Sequence, residues 1–219
     1  MKNSLAFLFD LDGVIIDTEP QYDVFWKSLS EKYQLGIDQF ECLIKGVTLP
    51  NIISRHFSHF SKEEQVNVEK EVQEFEKNMK IDYIPGAYEF LKKAKDAGIK
   101  MALVTSSNNE KLSSIFQKVP ILPFFDAVVS ADRITEGKPH PMPFLLAAKD
   151  LDLSPDDCIV FEDSFNGIKS GNAAGMKVIG LSTTNPKESI EKDVFLVFPD
   201  FKELVSGEMF GRFVKNVSK

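Results

Sequence analysis

The chain has 219 residues, 43% of them hydrophobic, and sets 26 Lys and Arg against 33 Asp and Glu for a formal net charge of -7. That length allows one large domain or a core carrying an insertion. The acidic balance, with no long Lys/Arg run, excludes an electrostatic footprint for nucleic acid or an anionic membrane and points to a small-molecule partner.

Cys42 and Cys158 lie far apart, without CxxC or His-rich metal spacing, so two reduced thiols in a cytoplasmic protein are expected. Only Lys2 precedes the first apolar stretch, and acids interrupt that stretch well short of signal or membrane-spanning length. Secretion is not expected, and a monomer is.

The first predicted strand is Leu5-Ala6-Phe7-Leu8-Phe9, an apolar run of the kind buried on both faces of a parallel sheet. It runs into Asp10-Leu11-Asp12-Gly13-Val14, and in such sheets ligands bind beyond the strand C-termini. Period-two geometry points Asp10 and Asp12 the same way and turns Leu11 toward the core. Two carboxylates that close are unfavourable unless a cation, a proton or a substrate compensates them.

Residues 17–83 contain no convincing strand yet exceed what one crossover helix needs, which predicts an inserted helical domain. Val24, Phe25, Leu29 and Tyr33 fit the apolar face of one helix, and Ile52, Ile53, His56 and Phe57 that of another. Ser61-Lys62-Glu63-Glu64 is a capping start for a third, whose charged run from Glu63 to Lys80 reads as a solvated face.

Further apolar runs at Ile99–Val104, Phe125–Val129, Ile159–Phe161, Val178–Leu181 and Phe195–Phe198 alternate with helical stretches at Gly86–Ala97, Asn108–Lys118, Pro141–Leu151 and Asn166–Ala174. This alternation predicts an α/β fold with a parallel sheet. Gly98 and Gly175 sit where left-handed helix ends are expected. Residues 207–219 read as a short terminal segment.

Three more strand ends and turns carry chemistry. Thr105-Ser106-Ser107-Asn108 gathers hydroxyls and free amides at a helix N-terminus, which suits an anion, although Ser106, Ser107 or Asn108 also reads as a plain helix cap. Gly137-Lys138-Pro139-His140-Pro141 restrains one lysine, either as an ordinary surface lysine or as a charge-compensating group. His140 reads as a turn residue, and with His56 and His59 it assembles no nucleophilic triad. Glu162-Asp163-Ser164 again crowns a buried strand, with Ser164 or Asn166 available as a cap. Asp10, Asp12, Glu162 and Asp163 together call for a hard cation, and Mg²⁺ suits oxygen ligands plus a substrate phosphate.

FDLDGV at Phe9–Val14, followed in order by VTSSN, GKPHP and FEDSFNGI, resembles the haloacid dehalogenase superfamily, in its phosphatase and β-phosphoglucomutase-like branch. The resemblance covers nearly the whole chain. It implies a Rossmann-like three-layer core over residues 1–16 and 84–219, with a helical-bundle cap over residues 17–83. It implies that Asp10 attacks phosphorus to form an aspartyl-phosphate, and that Asp12 protonates the leaving alcohol and then deprotonates the hydrolytic water. Mg²⁺ would be held by the Asp10 carboxylate, the Asp12 carbonyl and Asp163, with Glu162 assisting directly or through water. Thr105, the Ser106 amide and Lys138 would hold phosphoryl oxygens. The cap, hinged near residues 16–18 and 83–86, would close over a small phosphorylated metabolite. Lys45 and Thr48 of Lys45-Gly46-Val47-Thr48, with Asn108, are the candidate substrate contacts.

Departures from the pattern bear on the reaction. Leu49 follows Thr48 where β-phosphoglucomutases carry a phosphate-gripping arginine, and Tyr22 stands where they carry a histidine. Met142 replaces an acid frequent after the GKPHP turn. Leu49 and Tyr22 favour hydrolysis over mutase chemistry. The acids favour metal-assisted phosphoryl transfer over dehalogenation. A receiver-like phospho-signalling module is disfavoured by the insertion and by Asp12.

Overall fold

A computed structural model describes residues 5–218; residues 1–4 and Lys219, and with them the Lys2 flank, lie outside the described residues. Six strands, β1 (Ala6–Phe9), β2 (Lys100–Val104), β3 (Ala127–Val129), β4 (Cys158–Glu162), β5 (Lys177–Leu181) and β6 (Leu196–Phe198), form one sheet in the order β3-β2-β1-β4-β5-β6. All five pairings are parallel. This is the Rossmann-like α/β arrangement, whose central strands read as unbroken apolar runs because both faces are covered.

Alternation along β1 shows it directly. Phe7 and Phe9 belong to one apolar cluster with Phe90, Phe161, Phe201 and Phe213, while Ala6 and Leu8 face Phe144, Ala147 and Val160 on the other side. Phe9 and Phe161 stack at 4.7 Å between ring centroids across the β1–β4 pair. Helices α5 (Ala87–Asp96), α10 (Lys202–Val205) and α11 (Met209–Val217) cover the first face, α7 (Met142–Asp150), α8 (Phe165–Ala173) and α9 (Lys187–Ile190) the second. The terminal segment is therefore structural, because Phe213 and Val217 of α11 are buried in the first cluster.

Between β1 and β2 run α1 (Glu19–Lys32), α2 (Phe40–Leu43), α3 (Leu49–His56) and α4 (Lys62–Asn78). They share a separate apolar cluster built on Trp26, Leu29, Phe40, Ile52, Ile53, Phe57, Val68 and Val72. Val24 is not part of it: at 72% exposure it points to solvent, and Trp26 takes the buried place. Trp26 lies four residues after Tyr22 and three before Leu29, on the helical face that Val24 leaves. Ser61 forms the capping box with Glu64 that the sequence predicts.

The two segments joining these helices to the sheet lie side by side. Ile16 and Tyr83 form an antiparallel bridge, the Asp17 amide donates to the Asp82 carbonyl at 2.8 Å, and the Ile84 amide donates to the Ile15 carbonyl at 2.9 Å. Element ends otherwise fall within two residues of the sequence prediction. Gly98 (φ +69°) and Gly175 (φ +74°) take left-handed conformations after α5 and α8.

Candidate active site

Sheet register brings the motif segments to one level. Phe9 is paired with Leu103 on one side and Phe161 on the other, so Asp10, Val104 just before the Thr105 loop, and Glu162, the last residue of β4, lie at one level. The Asp10 amide still donates to the Phe161 carbonyl at 3.1 Å, and the Thr105 amide to the Val129 carbonyl at 2.9 Å. Asp10 and Asp12 both line one cavity while Leu11 is buried in the core, as period-two geometry requires. That cavity, about 420 Å³, lies between the strand ends and helices α1, α3 and α4.

Lys138 is the hub. Its ammonium is buried and donates to Asp10 Oδ1 at 2.7 Å, Glu162 Oε1 at 2.6 Å and the Val104 carbonyl at 3.2 Å. Burial pulls its pKa down, but the two carboxylates more than reverse that and hold it charged. His140 is the turn residue expected, its Nδ1 accepting from the Met142 amide at 3.2 Å.

Glu162 is fixed from all sides. Its Oε2 accepts from the Asp163 amide, the Ser164 amide and the Ser164 hydroxyl at 2.9, 3.0 and 3.0 Å. Ser164, rather than Asn166, caps α8, its hydroxyl accepting from the Gly167 amide at 3.0 Å. Asn166 instead donates to the Lys45 carbonyl at 2.8 Å.

Asp10, Glu162 and Asp163 place carboxylate oxygens within 4.8 Å of one another, against the single Lys138 charge. Burial, more than the charges of Glu162 and Asp12, raises Asp10 to about 7 despite Lys138. Burial likewise pushes Asp163 well above the usual carboxylate range. Asp163 Oδ2 takes the Thr184 hydroxyl, whereas its Oδ1 is buried with no hydrogen-bond partner among the described residues. An orphaned buried carboxylate oxygen beside two more acids is a donor set that fits a hard divalent cation. Gly13 (φ +78°) makes room for the Asp163 carboxylate, because a Cβ there would come within 2.0 Å of Asp163 Oδ2.

Asp12 stands in a different setting. Thr18 donates to its Oδ1 at 2.5 Å, and Ser107 and Lys111 donate to its Oδ2 at 3.2 and 2.6 Å. Thr105 is buried, its hydroxyl accepting from the Ser107 amide at 3.1 Å. The Ser106 hydroxyl donates to the Gly46 carbonyl at 2.7 Å, tying this loop to the helical insertion. Asn108 caps α6 (Asn109–Lys118), accepting from the Lys111 amide at 2.9 Å, while also lining the cavity. Lys45 and Thr48 line the cavity too, but Lys45 is already paired with Glu19 at 2.8 Å and Asp23 at 2.7 Å.

Several residues here escape sequence reasoning. Lys111 and Thr184 are two. Thr184 follows the strand-end logic that finds the others, since Ser182-Thr183-Thr184-Asn185 leaves the end of β5. Glu76 corrects the solvated reading of α4: it turns inward and accepts the Tyr22 hydroxyl at 2.7 Å, with burial raising its pKa.

A family model for haloacid dehalogenase-like hydrolases matches residues 7–181. Hexitol phosphatase A of Escherichia coli is 34% identical over 180 residues, covering 81% of this chain and 82% of that protein. The β-phosphoglucomutase of Bacillus subtilis is 32% identical over 193 residues, covering 83% and 84%. Among solved structures, a β-phosphoglucomutase from Clostridium difficile superposes with a TM-score of 0.79 at 28% identity, over 98% of this chain and 99% of that one. With a parallel sheet whose strand ends carry the acids, the hydroxyl loop and the buried lysine, the chain belongs to the haloacid dehalogenase-like hydrolase family.

Proposed function

We propose that the protein is a Mg²⁺-dependent phosphatase that hydrolyses small, sugar-like phosphomonoesters through an aspartyl-phosphate on Asp10. One observation carries the reading: Asp10, the Thr105 loop and Asp163 line one cavity, with the buried Lys138 donating to Asp10, while Asp12, in the same wall, has donors of its own. Hexitol phosphatase A and a phosphorylated carbohydrates phosphatase from Thermotoga maritima among the relatives support the substrate class.

Mg²⁺ would be held by the Asp10 carboxylate, the Asp12 carbonyl and Asp163, with Glu162 beside them, and supplies positive charge for a phosphoryl group arriving at an acidic site. Lys138, Thr105 and the Ser106 amide hold phosphoryl oxygens as charge develops on them. The Asp10 carboxylate attacks phosphorus, the bond to the leaving oxygen breaks, and Asp12 gives that oxygen its proton. Asp12 then takes a proton from the water that attacks the phosphorylated Asp10, releasing inorganic phosphate and restoring both acids.

Residues 17–83 act as the cap over the core of residues 1–16 and 84–219, hinged near residues 16–18 and 83–86. Contacts that would hold it shut include Ser106 to Gly46, Asn166 to Lys45, and Lys118 to the Lys77 and Met79 carbonyls at 2.8 and 3.0 Å. Lys45, Thr48 and Asn108 face the leaving group. With Lys45 neutralised by Glu19 and Asp23, a second phosphate finds no free cation there, which supports hydrolysis over mutase chemistry. No described helix is long and apolar enough to cross a membrane; we read the protein as a cytoplasmic monomer, in keeping with free Cys42 and Cys158.

Phosphate release from a panel of hexitol and sugar monophosphates, with Mg²⁺ and with chelator, tests this. Release only with Mg²⁺ is expected. Equal release under both conditions would remove the metal from the reading.

A further inference from the structure

Lys111 is a second buried lysine in the cavity wall, its side chain only 6% exposed. It leaves the first turn of α6 and donates to Asp12 Oδ2 at 2.6 Å. Its Nζ also lies 4.7 Å from the centroid of the Tyr22 ring. Tyr22 comes from α1 and spends its hydroxyl on Glu76 of α4. The ammonium is therefore seated by the core through Asp12 and by the helical insertion through an aromatic face, with the Glu76 charge nearby.

Burying an ammonium is costly unless its partners are well placed, so this seat is a specific arrangement. An ammonium has donors only. At Asp12 Oδ2 it meets one further donor, the Ser107 hydroxyl at 3.2 Å, whereas Oδ1 meets only the Thr18 hydroxyl, which can accept as well as donate. We propose that Lys111 is the positioning residue for the Asp12 acid/base: it clamps Oδ2, leaves Oδ1 as the oxygen that gives and takes the proton, and is itself seated by the Tyr22 ring. This rests on the phosphatase reading. The proton passes from Asp12 Oδ1 to the leaving oxygen as that oxygen parts from phosphorus, and Lys111 keeps its own protons throughout.

The test separates acid positioning from phosphate binding and from folding. Steady-state kcat/KM is measured with Mg²⁺ on a hexitol phosphate, whose leaving alkoxide needs a proton, and on para-nitrophenyl phosphate, whose leaving group does not. For Lys111→Met, the hexitol value should fall by at least about tenfold more than the aryl value, a share of the full general-acid effect. Tyr22→Leu should shift the same ratio in the same direction by less, and the double variant should fall short of the sum. Parallel losses on both substrates, or a loss confined to KM, would overturn the assignment. If Lys111→Met does not fold, the ratio measured for Tyr22→Leu decides alone. A wild-type enzyme that cleaves neither substrate defeats the phosphatase reading instead, and does so before any variant is made.

Discussion

Asp10 and Asp12 are two residues apart and yet have different partners: Asp10 shares Lys138 with Glu162, while Asp12 has Thr18, Ser107 and Lys111 to itself. On the proposed role of Asp10 as nucleophile, Asp10→Asn should abolish turnover of every substrate. Asp12→Asn should cost on the order of 10²–10⁴-fold on alkyl phosphates and less in the phosphoryl-transfer step from an activated aryl phosphate; equal losses in that step would contradict the acid role. The raised acids make a second prediction. With Asp10 at about 7 and Asp163 also raised, the metal-free folded protein binds more protons than the unfolded chain from the ordinary carboxylate range up to about pH 7. Its stability should therefore fall as pH rises through that window. Mg²⁺ prefers the deprotonated carboxylates, so the rise in Tm it produces should grow over the same window; a pH-independent rise would refute the link. Both aspartates are legible in sequence because they end an apolar run. Lys111 is not, because a lysine in the first turn of a helix looks the same whether it meets solvent or, as here, a carboxylate nearly a hundred residues away.

Helix α8 is built around Glu162. Ser164 both caps the helix and donates to Glu162, and Gly167 gives the carboxylate its space: a Cβ there would lie 1.7 Å from Glu162 Oε1. Gly167→Ala should push Glu162 away and with it the Lys138 ammonium, costing about 1–3 kcal/mol of stability, as overpacking does, and most of the activity. Unchanged melting and kinetics would show that Glu162 has another place to go. The helix itself is legible from its cap and small residues, and the strands from their apolar runs, since a strand covered on both faces admits little else. The insertion is read less well. Its helices bury only one stripe each, so neighbouring apolar positions compete for the buried face: Trp26 wins over Val24, and Glu76 turns into the cavity from an otherwise charged helix.

Taken as a whole, the cavity is lined by Asp10, Asp12, Glu19, Glu41, Glu69, Glu76, Asp132 and Asp163, and by two lysines, Lys45 and Lys111, each already paired with acids. Lys138 adds positive charge at the Asp10 carboxylate, where the phosphoryl group is proposed to bind. Such a field disfavours a leaving group that carries its own anion. Incubation with β-glucose 1-phosphate should give, if anything, glucose and inorganic phosphate, and sugar bisphosphates should be poorer substrates than the matching monophosphates. Glucose 6-phosphate formed efficiently, above all with stimulation by the bisphosphate, would point to Lys45 released from Glu19 and Asp23 as a phosphate clamp. The sequence signals this preference at Leu49 and Tyr22; the pairing of Lys45 is a matter of tertiary contact and is not written in its neighbours.

The paired segments at Ile16 and Tyr83 give the chain a graft point. Strands joined in that way run about 5 Å apart, so a two-residue hairpin turn could stand in for everything between them, and restoring the long excursion adds little closure entropy, which grows only logarithmically with length. A chain with residues 18–81 replaced by Asn-Gly should keep the six-stranded sheet, readable as cooperative melting and protected strand amides, and should retain Mg²⁺-dependent cleavage of para-nitrophenyl phosphate with no preference among sugars. Loss of cooperative melting would mean that sheet and excursion fold only together. If the short chain folds, substrate choice becomes a transplantable property: a different bundle whose two ends meet at that spacing could be set over the same acids, changing what is cleaved without changing how.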